Sequence, residues 1–218
     1  MEDYFGDKMI KIIIIGNSGS GKTSFCNRWI KGSFSETYRA TIMTDFSEKI
    51  YMHNNKEYKI SLWDLAGQDR NIYTTKILTK NALCCLVFCD ITNIKSRNDT
   101  LKWKSSVDEN SSFLNTNKKI PCFLIENKID LVDEDTVKNI SDLSEFSQIN
   151  NFSGFYRTSA KTGENVDFIM NSIISYIINK LEECLKKGNI VEKRSSLFEL
   201  KQKGETTKKE NTSNEDCC

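Results

Sequence analysis

Gly16-Asn17-Ser18-Gly19-Ser20-Gly21-Lys22-Thr23 follows an apolar run at 9–15 and leads into a segment of helical character. A β- and γ-phosphate crowd negative charge into a small volume. A loop that binds them must curl until successive backbone N–H groups point inward, and glycines permit that curl. Lys22 supplies a point charge, Thr23 offers a hydroxyl to Mg²⁺, and a helix beginning near Gly21 aims its positive end at the phosphates. The pattern alone arises by chance in long chains. Its place between an Ile-rich strand and a helix is the context that the chemistry needs.

A second group is Asp64-Leu65-Ala66-Gly67-Gln68. A carboxylate at a strand's end can hold the water shell of Mg²⁺, Gly67 can bring its N–H close to a γ-phosphate, and Gln68 would orient the attacking water. A third is Asn127-Lys128-Ile129-Asp130 after the strand expected at 121–126. Asp130 can accept from both the N1–H and the 2-amino group of guanine, a donor pair that adenine lacks. A buried carboxylate left unpaired is costly, so such a site can discriminate by ~10⁴-fold. Ser159-Ala160-Lys161 would close the base pocket, with the Ala160 N–H facing the guanine oxygen and the Lys161 stem packing on the ring.

These groups need a sheet to hold them. The chain of 218 residues, 38% hydrophobic, suits one core with a remainder, and a net charge of +1 offers no basic surface for nucleic acid. Eight cysteines form no regular framework. Cys84, Cys85 and Cys89 fall in an apolar segment and read as buried thiols of a reduced compartment. Adjacent strand residues point to opposite faces and no His lies near, so neither a disulfide scaffold nor a metal site is expected there. The N-terminal residues 1–8 are acidic and polar, unlike a signal peptide, and no spanning helix is expected.

Strands are expected at 9–15, 45–52, 58–65, 82–90, 121–126 and 155–158. The second and third form a hairpin across His53-Asn54-Asn55-Lys56, and His53, the only histidine, reads as solvated in that turn. Helices are expected from Lys22 to Lys31, ended by Gly32, through Thr100, Trp103 and Val107, through Val137, Ile140 and Ser144 beside Leu143, and along the stripe Val166, Ile169, Met170, Ile173, Ile174, Ile177, Ile178, Leu181 and Leu185, with Asn165 as N-cap. The stripe should dock on the sheet. The expected fold is α/β, a doubly wound, mostly parallel six-stranded sheet with one antiparallel edge strand, binding its ligand at the carboxyl ends of the strands. Residues 188–218 carry nearly balanced charge and little to bury, which predicts disorder; the cluster Leu197, Phe198, Leu200 within them is read as chance.

Gly16 through Thr23, Thr41, Asp64 through Gln68, Asn127 through Asp130 and Ser159 through Lys161, in that order and spacing, resemble the small GTPases of the Ras superfamily over residues 8–185. The resemblance implies an N-terminal extension at 1–7, a GTPase domain at 8–187 and a hypervariable tail at 188–218. It implies GTP or GDP bound by Ser18, Gly19, Ser20, Gly21, Lys22, Thr23, Ser24, Phe34, Tyr38, Thr41, Gly67, Asn127, Lys128, Asp130, Ser159, Ala160 and Lys161. Phe34 matches the aromatic packed against guanine. Mg²⁺ falls to Thr23, Thr41 and Asp64, with Thr41 engaged only when GTP is bound, and Gln68 is the catalytic residue.

Phe46, Trp63, the segment 86–92 and the pair Cys217-Cys218 look like Rab features. Tyr38-Arg39-Ala40-Thr41-Ile42, Leu101-Lys102-Trp103-Lys104-Ser105 and Phe152-Ser153-Gly154-Phe155 are similar to the Rab branch of lysosome-related organelles. Such a protein would be a monomeric switch in vesicle trafficking. It would work with an exchange factor, a GTPase-activating protein, a GDP-dissociation inhibitor, a prenylation escort and effectors. It would sit on the cytoplasmic face of endosomal or lysosome-related membranes and cycle with the cytosol, held by geranylgeranyl groups on Cys217 and Cys218. Met43-Thr44, Asp69, Asn71 and Leu78-Thr79 depart from the Rab pattern on the surface that partners read. Two further readings are a GTP-binding interaction module with little hydrolysis, against which Gln68 argues, and a P-loop small-molecule kinase, which leaves Asn127 and Asp130 unexplained and lacks an acceptor lid.

Overall fold

The computed structural model describes residues 9–37, 41, 44–67, 78–115, 117–133 and 143–186. Strand β1, Met9–Gly16, keeps Ile10 and Ile12 through Ile15 buried, as a continuous β-branched run in the middle of a covered sheet requires. Each of those fully buried isoleucines contributes roughly 1.5–3 kcal/mol of transfer free energy. The sheet adds β2 (Asp45–His53), β3 (Lys56–Asp64), β4 (Cys84–Asp90), β5 (Cys122–Asn127) and β6 (Gly154–Thr158), in the order β2-β3-β1-β4-β5-β6. Among the described residues only the β2–β3 ladder is antiparallel, and β2 lies at the edge, as expected.

The hairpin turn is tighter than the sequence suggested. His53 pairs with Lys56, leaving Asn54 and Asn55 as a two-residue turn with φ of 49° and 58°. Asparagine tolerates that left-handed pair, and its twist matches the strands. His53 therefore ends β2, half-buried between the rings of Tyr51 and Tyr58.

Helix α1 (Lys22–Lys31) buries Phe25, Cys26 and Trp29 and stops at Gly32, whose left-handed backbone returns its N–H to the Arg28 carbonyl. Helix α2 (Ile94–Asn110) follows β4, α3 (Leu143–Ile149) precedes β6, and α4 (Val166–Lys186) follows it. Phe25 of α1 meets Phe88 of β4 edge-on, and Phe168 at the start of α4 meets Tyr156 of β6. Register places Phe88, Ile125 and Tyr156 on one face. Arg97 of α2 bonds Glu126, which points to the other face, so helices cover both, as a doubly wound sheet demands.

The buried face of α2 is largely polar: Ser96, Arg97 and Thr100 accompany Val107. Hydrogen bonds hold it. Asn93 caps it by accepting from the Ser96 N–H, and the Ser96 hydroxyl accepts from the Asp90 N–H at the end of β4. Asn165 stands at the start of α4, but its backbone is left-handed and its side chain donates to the Arg157 carbonyl, so it does not cap with its side chain. The chain divides into two compact units, Met1–Ile173 and Ile174–Cys218, with the boundary inside α4. Ile169, Met170 and Ile173, which belong to the first, and Ile174, Ile177, Ile178 and Leu181, which belong to the second, are all buried. Cys84, Cys85, Cys89 and Cys122 are buried and in no disulfide, and burial pushes the thiol pKa values of Cys85 and Cys89 upward. Among the described residues no group of three or more His, Cys, Asp or Glu could hold a metal, and no helix is long and apolar enough to cross a membrane.

Candidate functional site

The carboxyl ends of β1, β3 and β5 deliver their loops to one cavity of about 640 Å³. It is lined by Ser18, Gly19, Gly21, Lys22, Thr23 and Ser24 from the first loop, Phe34 and Thr41 beyond α1, Gly67 after β3, and Asn127, Lys128, Asp130, Ala160 and Lys161 from the last two loops. Segments far apart in the sequence thus share one space. Gln68, Tyr38, Met43, Asp69, Asn71, residues 134–142, the extension 1–7 and the tail with Cys217 and Cys218 lie outside the described residues.

At one end the backbone is shaped for anions. Gly21 is the N-cap of α1, left-handed at φ 89°, with no side chain capping the helix and no acid in its first turn. The first N–H groups of α1 therefore have no carboxylate competing for them. Gly16 lies so close to β4 that a Cβ would meet the Phe88 carbonyl oxygen at 2.3 Å. Gly67 presses on the loop from the other side: a Cβ would fall 2.4 Å from Ser18 N, and its carbonyl accepts the Ser18 N–H at 3.1 Å. Lys22, nearly fully buried, donates from Nζ to the carbonyls of Gly16 and Asn17 at 2.8 and 2.9 Å. Desolvation lowers its pKa, against which the Asp64 charge acts.

Thr23, Thr41 and Asp64 converge here. The Thr23 hydroxyl donates to Asp64 Oδ2, so the Thr41 hydroxyl, 2.9 Å away, donates to Thr23. Asp64 is 2% exposed, and its Oδ1 has no hydrogen-bond partner among the described residues. Burial pushes its pKa up to about 6, although the Thr23 hydrogen bond and Lys22 pull it down. A buried, half-satisfied carboxylate beside two hydroxyls is a donor set suited to a hard oxygen-seeking cation, so these residues fit Mg²⁺.

The opposite end is stitched together. Asn127 donates from Nδ2 to the Ser20 carbonyl at 2.9 Å and accepts the Ala160 N–H on Oδ1 at 3.0 Å. The Ala160 N–H, expected to face the guanine oxygen, is thus directed at Asn127, and Asn127 braces loop to loop. Ser159 donates to Asp130 Oδ1 at 2.5 Å, and Lys128 Nζ donates to Asp90 Oδ2 at 2.6 Å. Asp130 is exposed, so only a bound base could supply the burial that makes its discrimination large. Ser20 and Ser159 do not line the cavity. The Ser20 hydroxyl turns back to the Asn17 carbonyl, and Ser159 holds Asp130.

Several residues of this framework carry no motif. Arg28 of α1 donates from Nε to the Ala160 carbonyl at 3.0 Å and also binds the Lys161 carbonyl. Fully buried Glu126, just before Asn127, receives Arg97 from α2 and Arg157 Nε at 2.8 Å from β6. A charge inside an apolar strand was the available signal, since it must be paired. Phe46, 47% exposed, meets Trp63 edge-on at 5.2 Å, and Lys11 Nζ sits 4.0 Å over the Trp63 ring, forming an aromatic platform. Thr79 is not on that surface: it is 1% exposed and donates to the Asn110 carbonyl at the end of α2.

The Ras family model matches residues 11–179. Ras-related protein Rab-32A of Dictyostelium discoideum is 30% identical over 178 residues, covering 81% of each chain. Ras-related protein Rab-7L1 of Rattus norvegicus is 30% identical over 84% of this chain and 89% of its own, and human Ras-related protein Rab-32 is 32% identical over 97% and 90%.

Proposed function

Because the chain belongs to the Ras family of small GTPases, and within it to the Rab branch, we propose that the cavity between the Gly16 loop and Lys161 is its guanine-nucleotide site. The protein is a GTPase, a GTP/GDP switch of membrane trafficking. One observation carries the assignment of residues. A single cavity is lined at once by a buried lysine with helix N–H groups, by Thr23 and Thr41 beside half-satisfied Asp64, and by the Asp130 carboxylate.

Lys22 and the first N–H groups of α1 hold the phosphates, with charge and dipole both favouring the anion. The Thr23 and Thr41 hydroxyls and Asp64 would hold Mg²⁺, which supplies neutralisation of charge on the β- and γ-phosphate oxygens. Asp130, oriented by Ser159, accepts from the guanine edge, while Phe34 and the Lys161 stem flank the ring. Gly67 brings its N–H toward the γ-phosphate position, and Gln68 orients the attacking water. No arginine is among the described residues lining the cavity, so unaided turnover of ~10⁻⁴ s⁻¹ is expected, faster with a GTPase-activating partner.

Exchange factors, activating proteins, a GDP-dissociation inhibitor and effectors are the partners proposed, with the Phe46 and Trp63 platform as the effector surface. Endosomal or lysosome-related membranes are the proposed location, with geranylgeranyl groups on Cys217 and Cys218 as the anchor. Intact-mass analysis of the cellular protein should show two isoprenoid additions. The test of the site is to denature natively purified protein and chromatograph what is released. GDP or GTP is expected, and ATP or no nucleotide would overturn the assignment.

A further inference from the structure

We propose that Asn17 is a positioning residue of the phosphate loop, clamped by Asp99 and Trp103 of α2, and that this clamp sets how long a guanine nucleotide stays bound. The inference rests on the nucleotide site proposed above. It assigns work to Trp103, which the sequence offered as a helically spaced position and as part of a branch motif.

A primary amide has a donor end and an acceptor end. Asn17 Nδ2 donates to Asp99 Oδ2 at 2.9 Å, and Trp103 Nε1 donates to Asn17 Oδ1 at 2.8 Å. A carboxylate can only accept and an indole N–H can only donate, so the amide is fixed in place and in orientation. Asp99 and Trp103 stand one turn apart on α2 and present the two complementary groups side by side. The Asn17 hydrogen bond, ahead of Lys102, holds the Asp99 carboxyl below the usual carboxylate range.

What the clamp fixes is the backbone behind it. The Asn17 carbonyl accepts Lys22 Nζ at 2.9 Å, the Ser20 hydroxyl at 2.8 Å and the Ser20 N–H at 3.2 Å. The Ser20 carbonyl in turn accepts Asn127 Nδ2, whose Oδ1 takes the Ala160 N–H. One hydrogen-bonded path therefore runs from α2 through the phosphate loop to the base loop, and Asn17 is its first joint. The helix does not need this joint to stay in place: Arg97 is anchored on buried Glu126, and Val107 is fully buried. Asn17, Asp99 and Trp103 are all only half-buried, so their loss should move the loop more than the fold.

The test is release of N-methylanthraniloyl-GDP, chased with unlabelled GDP in excess Mg²⁺, with the thermal midpoint measured alongside. Asn17→Asp sets a carboxylate against Asp99 and should speed release by about tenfold. Trp103→Phe removes one neutral hydrogen bond and should speed it by about threefold. Asn17→Asp combined with Asp99→Asn restores complementarity, because the new carboxylate can accept from both neighbours. Release should return to within about twofold of the parent while midpoints stay close throughout. Unchanged release in both single variants, or a double variant as fast as Asn17→Asp alone, would overturn the clamp. A parent protein that retains no labelled GDP would overturn the site itself.

Discussion

The two ends of the cavity are built differently. At the base end nearly every polar group already has a protein partner: Asn127 bridges Ser20 and Ala160, Ser159 holds Asp130, Lys128 holds Asp90, and Arg28 ties down the carbonyls of Ala160 and Lys161. At the metal end Asp64 is buried with one oxygen unsatisfied and a carboxyl pKa raised to about 6, and Thr41 joins this end through its hydrogen bond to Thr23. The first is preorganised and costs little to occupy, whereas the second is incomplete until a cation and phosphate satisfy it. A switch needs both kinds. A rigid base end keeps the nucleotide, and an incomplete phosphate end lets one phosphate decide which loops are held.

Asp130→Ala should break the contrast most severely. Two hydrogen bonds to a charged acceptor, at about 1.5–3 kcal/mol each, predict a loss of ~10²–10⁴-fold in GDP affinity, read by calorimetry, with GDP and GTP affected alike. Glu126→Ala attacks the support below. It leaves Arg97 and Arg157 without the carboxylate they share and should lower unfolding stability by about 3–5 kcal/mol in urea titration.

That support also marks where sequence reading reached its limit. The phosphate loop, α1 and its Gly32 stop were legible because glycine spacing and a helix signal are local. The framework was not, because its partners are remote: Asn17 lies 82 positions from Asp99 and 86 from Trp103, and Arg28 lies 132 from Ala160. The Asn54-Asn55 turn was placed two residues too wide, since asparagine signals a turn without saying that both residues are left-handed. Asn127 and Ala160 were assigned to the nucleotide by motif, while the geometry also pairs the Ala160 N–H with Asn127 Oδ1 and gives Asn127 Nδ2 to the Ser20 carbonyl. Motif spacing names the residues of a site but not which of them hold the others.

Gln68→Leu should leave GTP affinity nearly intact while slowing single-turnover hydrolysis by at least about tenfold, and equal rates for the two proteins would remove Gln68 from the reaction. The smallest effect is expected from Thr41→Ala. Its hydroxyl is worth about 0.5–1.5 kcal/mol, seen as weaker Mg²⁺ retention with a GTP analogue and no change with GDP. A change of equal size in both forms would erase the difference between the two ends.

Hydrogen exchange on the GDP form and on a form loaded with a non-hydrolysable GTP analogue tests the contrast most directly. Amides of Asn127 through Asp130 and of Ser159 through Lys161 should be protected equally in both, while those around Thr41 and Gly67 gain protection only with the analogue. Equal protection at Thr41 and Gly67 in the two forms, or a nucleotide-dependent change confined to the base loops, would contradict the account.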